Sequence, residues 1–168
     1  AAAGWRPFQA GWWTPTPVGL TWVSSEPWGW VTHHYGSWSL SAGFGWVWYP
    51  GSYYSPGAVY WSWGPNYAGW VPVGYYGSYY GHYPRYRYGY GFHFGIHGWA
   101  GGGLSAWADW TFCRPRHFGY RDSYPHYRTG AQITRSGSQH ALARGIITSD
   151  TRVVTAGRLH DNQAVMHA

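Results

Sequence analysis

The sequence predicts an all-β protein. A small antiparallel meander curls into a barrel or two-layer sheet, and an extended Gly/Tyr-rich segment and a mostly irregular tail with short strands follow it. Three observations lead there. Runs rich in Trp, Val, Tyr and Thr recur through residues 5–76 at about the 8–12-residue spacing of a β meander, and these residue types fit a pleated, half-buried surface. Between the runs lie PTPVG, EPWG, SAGFG, YPGSYYSPG and GPNY, compositions that turn the chain. Tryptophan falls at 22, 30, 38 and 46. That interval fits one short strand plus a tight turn, so each indole would occupy the equivalent place on successive strands.

The expected strands, in order, are GWWT (11–14), LTWVS (20–24), GWVT (29–32), GSWSL (36–40), GWVWY (45–49), AVYWSW (58–63) and AGWV (68–71). Side chains alternate across a strand, so Trp46 and Trp48 share one face with Val47 on the other, and Trp61 shares a face with Trp63. The glycines beside the indoles serve turns or bulges, or leave room for a neighbouring ring. Closure or curling is expected because an open aromatic sheet would aggregate through its edges. Leu and Ile are sparse while the chain carries 15 Trp, so indoles must fill the interior, each burying roughly 150–250 Å². The candidate core is Trp22, Trp30, Trp38, Trp46, Trp48, Trp61 and Trp70.

Residues 5–76 thus form a Trp-rich β domain. Residues 77–103, GSYYGHYPRYRYGYGFHFGIHGWAGGG, lack a helical period and read as an extended segment, with Tyr86, Tyr88 and Tyr90 on one side. Residues 104–168 form a tail. In it Trp107 and Trp110 suit a short helix or turn, SYPHYRTG is turn-like, GIITS and TRVVTAG suit short strands, and LHDNQAVMHA suits a terminal helical turn.

Charge is scarce and uneven. Residues 1–80 hold one cation, Arg6, and one anion, Glu26, whereas residues 81–168 hold ten Arg and four Asp, which accounts for the net charge of +6. Lys is absent; an Arg-only, aromatic-rich composition suits packed interfaces, because guanidinium stacks on rings and forks onto oxyanions. One cysteine, Cys113, excludes an internal disulfide and a Cys-based metal site. No run approaches the roughly 18 uninterrupted apolar residues of a transmembrane helix. The opening AAAGW fits the small-residue end left by a signal peptidase, so a secreted, extracellular or periplasmic location is expected.

The segments GLTWVSSEPWGWVTHHYGSWSLSAGFGWVWYPG (19–51) and PGAVYWSWGPNYAGWVPV (56–73) resemble an uncharacterised tryptophan-rich domain family of secreted bacterial proteins, often found with FecR-like domains. That family's pattern runs roughly G-W-x-W-V, E-P-W-G-W, H-Y-G-x-W, G-W-V-W-x-P-G and G-W-x-P. All five elements occur here in order, with Leu20 as a departure in the first. In the tail, WADWTFCRPRHF is similar to the family's W-x-F-V-P-x-x-x-F, with Cys113 and Arg114 in place of Val-Pro. TRVVTAG is more loosely similar to a V-V-N-x-G element. Residues 77–103 depart from the pattern as an insertion. The resemblance implies a location and a fold, and no catalytic activity.

Chemistry-bearing constellations are weak. Glycosidases need two carboxylates at the scissile bond, and the first domain has Glu26 alone. His33 and His34 would point to opposite faces of a strand. His93 and His97 share a strand face about 13 Å apart, too far for one ion. Cys113 sits among arginines that would lower its pKa, although a lone cysteine more often acts as a small buried hydrophobe. GWAGGGLS lacks the Lys of a phosphate loop. No catalytic, metal or cofactor site is therefore assigned, and the protein is not expected to be an enzyme. RYRYGYGFHF mixes cations with stacking rings, but nucleic acid is an improbable partner outside the cell.

Surplus aromatics imply an interface or a ligand face. The candidates are Tyr53, Tyr54, Tyr75, Tyr76, Tyr79, Tyr80, Arg85, Tyr86, Arg87, Tyr88 and Tyr90. The expected function is a non-catalytic structural subunit of an extracellular or cell-envelope assembly, such as a filament or sheath, whose partners are copies of itself. A cell-surface glycan-binding module, with polysaccharide stacked on a Trp/Tyr face, is the alternative. An accessory subunit bound to other envelope proteins is the third reading.

Overall fold

A computed structural model describes residues 4–41, 43–64, 66–73 and 107–136, and the backbone of 146–148. Three antiparallel pairings organise the first half of the chain. β1 (Gly11–Thr16) pairs with β2 (Gly19–Ser24), β3 (Tyr35–Ser41) with β4 (Gly45–Tyr54), and β5 (Val59–Trp63) with β6 (Ala68–Pro72). Each pairing sets two indoles directly opposite one another: Trp13 with Trp22, Trp38 with Trp48, and Trp61 with Trp70. Directly opposed side chains are the unit of sheet stabilisation, so the tryptophan pattern is read across strands.

This corrects the eight-residue reading. Trp22, Trp38 and Trp46 lie on strands, but Trp30 does not. GWVT (29–32), expected as a strand, is the start of helix α1 (Gly29–His34). Two local contacts account for it. A Cβ on Gly29 would lie 2.1 Å from the Ser24 hydroxyl, so glycine lets the chain pass close to β2. The Nδ1–H of His33 then donates to the Gly29 carbonyl (2.8 Å) and satisfies the first turn. Tertiary fit overrides the strand propensity of Trp and Val.

The tail completes the central sheet. β7 (Thr111–Cys113) pairs with β6, β8 (Arg128–Thr129) with β7, and β9 (Ile146–Thr148) with the other edge of β5. The strand order is β8-β7-β6-β5-β9, all antiparallel. Helix α2 (Gly130–Arg135) follows β8. Its N-terminus is closed by a capping box in which Thr129 and Gln132 satisfy each other's backbone N–H groups.

Every residue of β5 and β6 is buried. On one face Trp61, Trp63 and Trp70 join Trp13, Trp22, Trp38, Phe8 and Phe118. On the other, Tyr60 and Val71 meet Trp110, Phe112 and Ile133. β5–β6 is therefore the middle of the molecule: one face is covered mainly by the flanking hairpins, with Phe118 and Tyr127 of the tail, and the other mainly by the tail, with Leu40 and Trp46 of the β3–β4 hairpin packed against it. The all-β class holds. The described strands form two hairpins and one five-stranded sheet, with no closed barrel, because the flanking hairpins pack on the sheet without extending its hydrogen-bond ladder.

Phe8 pins these layers. Its φ of 57° is the left-handed region, which costs a non-glycine residue roughly 1–2 kcal/mol. Both of its backbone groups are held by buried side chains: its N–H donates to Nε2 of His33 (3.2 Å), and its carbonyl accepts from Nε1 of Trp70 (2.8 Å). The Phe8 ring stacks parallel to Trp13 at 5.8 Å and meets His33 edge-on at 4.6 Å.

Candidate functional site

The sequence-derived core residues divide. Trp22, Trp38, Trp61 and Trp70 are buried, and Trp46 and Trp48 are partly buried against them. Trp30 was expected inside and is 60 % exposed. It sits on the outer side of α1, because Gly29 and His33 take the inward side. Of the candidate interface residues, Tyr53 is 72 % and Tyr54 43 % exposed. Tyr75, Tyr76, Tyr79, Tyr80, Arg85, Tyr86, Arg87, Tyr88 and Tyr90 lie outside the described residues.

Trp30 and Tyr54 come together in space. Their ring centroids are 6.3 Å apart, and both rings rest on the buried imidazole of His34, at 4.3 Å for Trp30 and 5.4 Å for Tyr54. Nδ1–H of His34 donates to the Ser55 carbonyl (2.9 Å), which fixes the ring as a platform. Trp28, Val31, Tyr49 and Phe44 are also exposed on α1 and the β3–β4 hairpin. β4 pairs with β3 on one edge, and its other edge has no strand partner among the described residues. The result is a surface of large rings beside an open strand edge.

Behind α1 lies a cluster of polar side chains that sequence reasoning missed. His33 is fully buried. Because Nε2 accepts from Phe8 and Nδ1 donates to Gly29, the ring is the neutral Nδ1–H tautomer. Burial depresses its pKa to about 4, partly countered by the bond to Gly29. Glu26 Oε2 is 4.0 Å from Nε2, and Glu26 Oε1 accepts from Nε1 of Trp5 (2.6 Å). Burial raises the Glu26 pKa, against the lowering effect of its bonds from Trp5 and Ser24. These groups face inward and tie the N-terminal stretch to α1. The adjacent histidines gave no hint of this while they were read as a strand.

Cys113 is buried, and burial pushes its thiol up to about 12. The nearby arginines do not make it a thiolate at neutral pH, since desolvation outweighs the Arg128 charge. Among the described residues no group of three or more His, Cys, Asp or Glu side chains stands together as a metal site. No described helix is long and apolar enough to cross a membrane. His82, His93, His97, His140, His160 and His167 lie outside the described residues.

No curated protein and no solved structure matches the chain. Residues 1–77, which carry the three indole-paired hairpins, α1 and the exposed ring surface, are similar to a family described as "Family of unknown function (DUF6600)".

Proposed function

We propose that this protein is a non-catalytic structural subunit of an extracellular or cell-envelope assembly, joined to further copies of itself through the α1/β4 surface. The observation that carries the reading is the Trp30–Tyr54 pair, exposed together with Tyr53 of the same ten-residue strand, beside that strand's open edge. An unpaired strand edge offers backbone donors and acceptors to another chain. Trp and Tyr are enriched among the few residues that carry most of the binding energy at protein interfaces. The location outside the cytoplasm belongs to the same reading and rests on the resemblance to secreted proteins.

A second reading is favoured by the Trp30–Tyr54 pair itself. Two rings held on an imidazole platform suit stacking on the flat faces of a neutral glycan.

Negative-stain electron microscopy and mass photometry of the full chain test both. Regular particles or filaments that shrink in the double variant Trp30→Ser, Tyr53→Ser support assembly. A monodisperse monomer that the double variant leaves unchanged overturns it. A monomer retained on insoluble polysaccharide, and released by the same variant, establishes the second reading instead.

A further inference from the structure

The stretch from Arg114 to Arg128 lies beyond residues 1–77, and the assembly reading makes no use of its charge. It carries Arg114, Arg116, Arg121 and Arg128, all exposed, against one carboxylate, Asp122. Each guanidinium is held by a neutral group. Arg114 lies over the Tyr67 ring (5.9 Å to its centroid) and Arg121 over Trp12 (5.6 Å). Nε–H of Arg116 donates to Nε2 of His117 (3.0 Å). Arg128 donates to the carbonyls of Pro125 (3.0 Å) and Tyr127 (2.8 Å). Among the described residues none of the four pairs with a carboxylate; the arginine–carboxylate bridge there is Arg6–Asp109 at 3.5 Å.

The backbone beneath these charges is fixed. Two 3-10 turns, Pro115–His117 and Tyr124–His126, are anchored by buried Phe118, Ser123 and Tyr127. The turns are joined by the stacked rings of His117 and His126, 3.7 Å apart with planes within 7° of parallel. Arg114, Arg116 and Asp122 all lie close enough to His117 to act on its charge, and with four arginines against one carboxylate the stretch stays net positive. Such a surface attracts a polyanion and loses little conformational freedom on binding it.

We propose that this surface binds an acidic polysaccharide, its carboxylates forked by Arg114, Arg116 and Arg121 and its sugar faces resting on exposed Tyr120 and Tyr124. Guanidinium matches planar carboxylates in a two-pronged geometry, and the two exposed tyrosines supply flat rings among the charges. The stretch exposes no Leu, Ile, Val, Met, Phe or Trp side chain, which separates it from surfaces that insert such groups into a bilayer. The inference stands independently of the assembly reading, because it uses a different part of the chain.

The test is affinity gel electrophoresis of the full chain in sodium polygalacturonate, at about 50 mM salt and rising. Neutral dextran, a single-stranded thymidine oligomer and anionic phosphatidylglycerol vesicles are the comparators. We expect retardation by polygalacturonate that fades with salt. The triple variant Arg114→Gln, Arg116→Gln, Arg121→Gln should bind about tenfold or more weakly, and Arg116→Gln alone measurably more weakly, whereas Arg135→Gln, the same single charge lost outside this stretch, should bind nearly as the parent does. Absence of binding, equal binding by the triple variant, or tighter binding of the oligomer or the vesicles would each overturn the proposal. Should the triple variant fail to fold, Arg116→Gln alone, at a surface site, should still bind measurably more weakly, and unchanged binding would overturn it.

Discussion

At the scale of the residue, the buried indoles are not equivalent. Nε1 of Trp70 donates to the Phe8 carbonyl, whereas the buried Nε1 atoms of Trp13, Trp22 and Trp61 have no hydrogen-bond partner among the described residues. Trp70→Phe leaves a buried carbonyl orphaned and releases one of the two bonds that hold Phe8 in its left-handed conformation. Trp61→Phe removes an unsatisfied donor together with some packing. The first should therefore destabilise by at least about 1 kcal/mol more than the second, measured by urea unfolding at neutral pH. His33 gives a pH signature. Its folded pKa of about 4 lies below the unfolded value of 6.5, so the unfolded chain binds the extra proton first. Its contribution is full above pH 6.5, falls as the pH drops through that window, and is gone below pH 4. A drop on the order of 3 kcal/mol is expected from this residue alone. Glu26 acts in the opposite sense, since its raised pKa favours folding at low pH and offsets part of the loss near its own titration. Unfolding midpoints across pH 4–7 should slope upward in the parent and flatten in His33→Gln. Equal slopes would show that His33 is not the sensor.

At the scale of the element, glycine marks where a ring crosses the backbone. In β6, a Cβ on Gly69 would lie 2.3 Å from the ring of Phe112, its cross-strand partner in β7. Gly69→Ala should cost about 1–3 kcal/mol through overpacking. Gly43→Ala, where no atom lies within 4 Å, should be close to neutral in the same thermal-melt series. The same distinction explains what could be read from the sequence. β1 to β6 are legible because Trp, Val and Tyr alternate between turn residues, a pattern set by local geometry. α1 is not, because its cause is the fit of Gly29 against Ser24, and those residues meet only after the chain has folded. α2 did carry a readable signal: Thr129-Gly130-Ala131-Gln132 is a capping-box sequence, which precedes a helix. The exposure of Trp30 was hidden for the same reason as α1, whereas that of Tyr53 and Tyr54 follows from composition, since a small domain cannot bury so many rings.

At the scale of the whole molecule, the decisive fact is that the tail builds the middle. β5 and β6 belong to the family-like region, yet their outer neighbours, β7 and β9, come from beyond it. Trp110, Phe112 and Ile133 cover the second face of β5–β6. A fragment of residues 1–77 should therefore expose both edges and one apolar face of this pair. It should aggregate on size-exclusion chromatography, or be cut by protease at concentrations the full chain resists. A soluble fragment that unfolds cooperatively would show instead that the three hairpins suffice.

The hydroxyl of Tyr127 donates to the carbonyl of Gly11 across 116 positions of sequence. A ribosome adding about 5–20 residues per second needs on the order of 10 s to deliver the second partner after the first. Throughout that interval the newborn chain carries its indoles without their cover. Its passage from synthesis to native state thus depends on being shielded by a chaperone, or kept unfolded until the whole of it has been delivered.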